Sequence, residues 1–73
     1  MRKRTKWKIY EVFNAICSAS RYHSYKANAE YSRKHLFNET EAERWDENAE
    51  TTLRELEIMG LAEIIPEIKR IAS

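Results

Sequence analysis

Glycine, proline and cysteine occur once each in this 73-residue chain, as Gly60, Pro66 and Cys17. So little turn punctuation argues against a sheet protein, because tight turns usually draw on glycine and proline. A single glycine also rules out a Gly-rich phosphate loop, and with it the mononucleotide and dinucleotide folds. One cysteine cannot close an intrachain disulfide. No secretory signal or long apolar run precedes it, so the expectation is a soluble, intracellular (cytoplasmic) protein without a membrane segment. Cys17 falls at a position expected to face the core, as an inert buried thiol.

What the chain does contain is mainly good helix formers: Ala, Glu, Lys, Arg and Leu. The expected fold class is therefore mostly α. Residues 1–73 form one domain, with residues 1–5 as a basic arm. A core this small only just offsets the cost of ordering the backbone, and many chains of this size gain burial by dimerising. A homodimer is thus an open expectation.

Four segments follow along the sequence. Residues 1–8 carry Arg2, Lys3, Arg4, Lys6 and Lys8 around Trp7. They read either as a frayed, solubilising terminus or as a phosphate-binding arm. A first helix is expected from near Thr5 to about Ser20. Its apolar face is Ile9, Val12, Phe13, Ile16 and Cys17, with Trp7 and Tyr10 bordering it as core aromatics. A polar stretch, Ser18 to His23, separates it from a second helix capped by Ser24 and covering Tyr25–Leu36, with Tyr25, Ala29 and Leu36 on one face and Ala27 and Tyr31 beside them.

Asn38-Glu39-Thr40-Glu41 then reads as a capping box. Ala42, Trp45, Ala49, Thr52, Leu53, Leu56 and Met59 recur at spacings of three and four until Gly60 stops the helix. This is one long helix, or two with a break near Asp46. The tail from Leu61 leaves two readings open. One is a hairpin, Leu61–Ile65 and Ile68–Ala72 about Pro66-Glu67. The other is a last helical turn begun by Pro66. The sequence shows no internal repeat, low-complexity stretch or linker.

Charge is unevenly divided. Residues 1–35 hold nine Lys/Arg against Glu11 and Glu30, net +7; residues 36–73 hold four against ten Asp/Glu, net −6, which together give the overall +1. The halves neutralise one another within the fold, or pair between subunits, or else the basic half faces a polyanion.

Leu53-Arg-Glu-Leu56-Glu-Ile-Met-Gly60-Leu61, followed by Ala62-Glu63-Ile64-Ile65, resembles the end of the third helix of winged helix-turn-helix proteins. The resemblance is tight over about 13 residues and rests elsewhere on helix count. It implies a three-helix core built from Lys6–Ser20, Tyr25–Leu36 and the helix ending at Gly60, with a reduced β-hairpin wing at Ile64–Ala72. It further implies a small, dimeric, DNA-binding transcriptional regulator. Residues 39–57 carry eight acids against Arg44 and Arg54, however, and a helix of that sign opposes phosphates. DNA contacts are therefore expected from Arg2, Lys3, Arg4, Lys6, Lys8, Arg21, Lys26, Arg33 and Lys34, with Asn48, Thr51 and Arg54 near the groove. The alternative is a helical protein-interaction module that sets its acidic helix, 39–59, on a basic partner. Virus- or plasmid-encoded modulators of host proteins resemble the chain in size and helix content.

No enzyme is expected. Nothing lies near His23 or His35 that would activate either as a base, and no cofactor or metal is expected, since the two histidines lack a cysteine or carboxylate at ligand spacing.

Overall fold

The computed structural model describes residues 6–72. Its elements are α1 (Ile9–Lys34), α2 (Glu39–Ile58), a 3₁₀ turn (Ala62–Ile64) and α3 (Ile65–Ala72). α1 and α2 form an antiparallel hairpin and α3 folds back onto α1; the molecule measures 44 × 20 × 19 Å. The chain is mostly α, as its composition predicts, and no strand occurs among the described residues.

α1 corrects the expectation of two helices. No glycine or proline interrupts residues 9–34, and Ser24 caps nothing: the backbone stays helical through Ser18–Ser24. Ser18 is itself buried, and Tyr22 and Tyr25 pack into or against the core on either side of Ser24. That packing holds the segment helical where local patterning alone suggested a break. The helix starts at Ile9 rather than near Thr5; the Glu11 carboxylate accepts the Lys8 backbone N–H at 2.9 Å.

A four-residue turn, 35–38, reverses the chain. Phe37 adopts φ 51°, and the Asn38 N–H donates to the Ser32 carbonyl at 3.0 Å. Asn38 then caps α2 as expected, its side-chain oxygen accepting the Glu41 N–H at 3.0 Å. α2 runs without a break at Asp46. Gly60, at φ 79°, closes it with a Schellman motif: Gly60 N–H donates to Glu57 at 3.0 Å and Leu61 N–H to Leu56 at 2.8 Å.

The core brings together Tyr22, Ala49, Leu53, Leu56, Leu61 and Ile68, with Ala19, Tyr25, Ile64 and Ile65 against it. Most other buried positions of the hairpin are small: Ala15, Ser18, Ala29 and Ser32 on α1, Ala42 and Thr52 on α2. Tyr25 and Trp45 stack between the helices at 5.9 Å. Thr52 satisfies its hydroxyl on the Asn48 carbonyl at 3.1 Å, and among the described residues no buried side-chain nitrogen or oxygen lacks a partner.

The face expected to bury the start of α1 points the other way. Ile9, Phe13 and Ile16 are 89, 65 and 63 % exposed; Val12, Trp7 and Tyr10 are also exposed, and Cys17 is half-buried. Leu36, Ala27 and Tyr31 are exposed too, and Met59 at the end of α2 is only partly covered. The physical reason is spacing. Two helices joined by a four-residue turn lie close along their length, and the small-residue stripe of α1 permits that approach where the bulky stripe does not. The tail likewise takes the helical alternative: Pro66 occupies the first turn of α3, where an N–H is not required, and Ile68 is buried. No wing hairpin forms at Ile64–Ala72.

Candidate interaction surfaces

Near the closed end of the hairpin, basic α1 meets acidic α2. Arg33 reaches both Glu39 (Nε to Oε2, 2.9 Å) and Asp46 (Nη2 to Oδ2, 2.7 Å), and Lys26 Nζ lies 3.0 Å from Asp46 Oδ1. Lys34 pairs with Glu30 one turn away. Burial pushes the Asp46 carboxyl up, but the hydrogen bonds from Arg33 and Lys26 outweigh it and hold the group below its ordinary range. Glu39 and Asp46 in turn keep Arg33 firmly charged. The hydrogen bond from Lys34 lowers Glu30. Part of the charge division is therefore neutralised inside the fold.

This bears directly on the expected DNA contacts. The structure brings Lys26, Arg33 and Lys34 together, but each is already engaged with a carboxylate. Lys6 and Lys8 lie at the opposite end of a helix about 39 Å long. Lys8 sits 5.8 Å from the Tyr10 ring centre. Arg21 is exposed midway along α1. Asn48, Thr51 and Arg54 belong to the other helix, where Arg54 donates to the Thr51 hydroxyl at 3.1 Å and Asn48 lends its carbonyl to Thr52. Arg2, Lys3 and Arg4, with the whole of the expected arm 1–5, lie outside the described residues. Among the described residues, the expected contacts thus lie on two helices and at both ends of α1.

On the outside of α2, Glu43, Glu47 and Glu50 are exposed at spacings of four and three, with Arg44 and Arg54 among them.

The outer face of α1 is the surface that sequence reasoning assigned to the interior. One charge-free stripe runs its length: Ile9, Phe13, Ile16, Ser20, Ser24, Ala27 and Tyr31, all exposed. Trp7, Tyr10 and Val12 widen its apolar end. At the other end a shallow hollow of about 260 Å³ is lined by Ala27, Glu30, Tyr31, Lys34 and His35. The signal that would have found this face was the second stripe, Ala15–Ser18–Tyr22–Ala29–Ser32, which shows that α1 has two faces able to pack. Solvent-exposed apolar side chains so concentrated mark an interaction site more often than a solvated surface.

A wider, open hollow lies beside the ion-paired Lys26 and Asp46, with His23 on its wall. Among the described residues no group of three or more His, Cys, Asp or Glu is placed to hold a metal, and no helix is long and apolar enough to cross a membrane. In comparisons with known proteins, no family model, no curated protein and no solved structure matches this chain.

Proposed function

We propose that this chain is a helical protein-interaction module, and that it docks through the outer face of α1. The observation that carries this reading is the exposure of Ile9, Phe13 and Ile16 on a helix whose opposite face already supplies the core. Covering apolar area of this kind stabilises an association by about 25 cal/mol per Å² removed from water, before the costs of ordering. The acidic outer face of α2 adds specificity: it favours a partner with basic groups at the rim and repels acidic ones.

A photo-crosslinking amino acid at position 13, with one at Glu47 as control, tests the reading in the producing cell. Protein adducts at 13 that are missing at 47 are the expected result. Adducts at neither position, or only with nucleic acid or lipid at 13, overturn it.

The second reading is a winged-helix-like, DNA-binding regulator. Its support is the Leu53–Leu61 pattern and the basic run Arg2, Lys3, Arg4, Lys6 and Lys8 beside the exposed Trp7. Carboxylates already paired with Lys26, Arg33 and Lys34 would compete with phosphates for three of its expected contacts. Five phosphate contacts from the basic run would still give a salt dependence with a log–log slope of about −4 to −5. A fluorescence-anisotropy titration on duplex DNA at about 50 mM salt decides it, since a phosphate-driven complex is strongest there and absence of binding removes this reading.

A further inference from the structure

We propose that the occupant of the outer face of α1 is a second copy of this chain, laid antiparallel across a two-fold axis at Ser20. This rests on the reading of that face as a docking surface and names what docks. Its basis is the order of residues along the stripe. Ile9, Phe13, Ile16, Ser20, Ser24, Ala27 and Tyr31 follow at intervals of 4, 3, 4, 4, 3 and 4. Those intervals are the same read from either end. About a two-fold axis residue i meets j wherever j meets i, and with this spacing every member of the stripe finds another member opposite it.

Size follows the same symmetry. The first half of the stripe is bulky and the second mostly small. With the axis at Ser20, Phe13 meets Ala27, Ile16 meets Ser24, Ile9 meets Tyr31, and Ser20 meets its own copy. In the two inner pairs, Phe13–Ala27 and Ile16–Ser24, a large side chain faces a small one, which suits interdigitated helix packing, and the outer pair sets Ile9 against the Tyr31 ring. The hollow lined by Ala27 and Tyr31 lies where Ile9 of the second copy arrives, with Phe13 at its Ala27 edge. Parallel pairing would set Phe13 on Phe13 and leave the Ser20–Ala27 stretch unfilled.

Area is consistent with the pairing. From the exposed fractions of Trp7, Ile9, Tyr10, Val12, Phe13 and Ile16, the apolar end offers on the order of 600 Å². With the small half of the stripe added, this approaches the roughly 800 Å² per partner of a standard interface. No Lys, Arg, Asp or Glu lies on the stripe itself, but Lys6 and Lys8 stand just before Ile9, and Lys34, paired with Glu30, stands three residues after Tyr31. The two-fold register sets Lys6 and Lys8 of one copy near Lys34 of the other, so association, driven by apolar burial, is expected to tighten modestly as salt screens those cations.

The test is sedimentation equilibrium of the full chain, combined with cysteine cross-linking. At about 100 µM, above the dissociation constant expected of an interface this size, the mass should be twice 8.7 kDa. F13A should weaken pairing by about tenfold or more. A27F should weaken it as well, and the F13A/A27F double variant should restore it by exchanging knob and hole. With Cys17 replaced by Ser, S20C should oxidise to a covalent dimer while I9C should not. Circular dichroism checks that each variant keeps its helicity, as expected for exposed positions. A single-chain mass at every concentration overturns the proposal, and so does cross-linking at position 9 rather than 20. A monomer that still gives protein adducts at position 13 overturns the pairing alone and leaves the docking reading standing.

Discussion

Phe37 and Gly60 both hold positive φ, at 51° and 79°, yet only one of them suits it. Gly60 has no Cβ to strain and lets two backbone N–H groups close α2. Phe37 bears the left-handed conformation at a cost of about 1–2 kcal/mol, while its ring stays 87 % exposed and gains little burial. Replacing Phe37 by Asn, which tolerates this region, is expected to raise stability by about 0.5–1 kcal/mol. The readout is a higher urea midpoint at unchanged slope; a lower midpoint would mean that the ring makes a contact worth more than the strain. The place of the turn was legible, since the second expected helix ends at Leu36 and Asn38 caps the next; its strain was not, because Leu36-Phe37 carries no signature of a positive φ.

At the scale of the element, α1 and α2 differ in how plainly they were written. α2 has one apolar stripe, an Asn cap and a Gly stop. Ala42, Ala49, Thr52, Leu53 and Leu56 are all buried as their spacing requires. α1 has two stripes, and hydrophobicity alone chose the wrong one. Which stripe faces inward depends on how closely α2 approaches, a tertiary property. The ion pairs across the hairpin add a pH signature. Asp46 has a lowered carboxyl pKa in the folded chain, so its contribution is fully present above the ordinary carboxylate value of about 4 and is lost as pH falls through the lower folded value. Asp46→Asn should therefore reduce stability by about 1 kcal/mol at neutral pH, given half-exposed partners, and the gap to the native chain should close below pH about 4. Urea titrations of both chains between neutral and acid pH provide the check. A gap that persists in acid would mean that packing, not the carboxylate charge, sets the difference.

For the whole molecule, stability rests on few side chains. Leu56 is fully buried at the junction of α1, α2 and the tail, whereas Ile9 is nearly free in solvent. Leu56→Ala is expected to cost about 2–5 kcal/mol, a large fraction of the margin of a chain this short. Ile9→Ala should cost within about 0.5 kcal/mol in dilute solution, as an exposed position does. Equilibrium denaturation of the two variants separates the faces of α1: comparable losses would return Ile9 to the core. The one-sided tail was left open by its sequence, since Ile64, Ile65, Ile68 and Ile71 suit either strand or helix. The helix prevails because it buries Ile68 against α1 and α2 while Pro66 needs no N–H in a first turn.

The sequence by itself determined the helical class, through its scarcity of turn residues, and it determined both ends of α2, though not that the helix runs unbroken past Asp46. It also determined the charge division, because that is a matter of order along the chain. Only the tertiary structure decided what the charges do. Antiparallel pairing brings Asp46 and Glu39 to Lys26 and Arg33, contacts across separations of up to 20 residues that no local pattern encodes. Tertiary packing likewise fused the first two expected helices and turned Ile9, Phe13 and Ile16 outward. A close hairpin rewards small residues between its helices, so the bulkier stripe was left exposed.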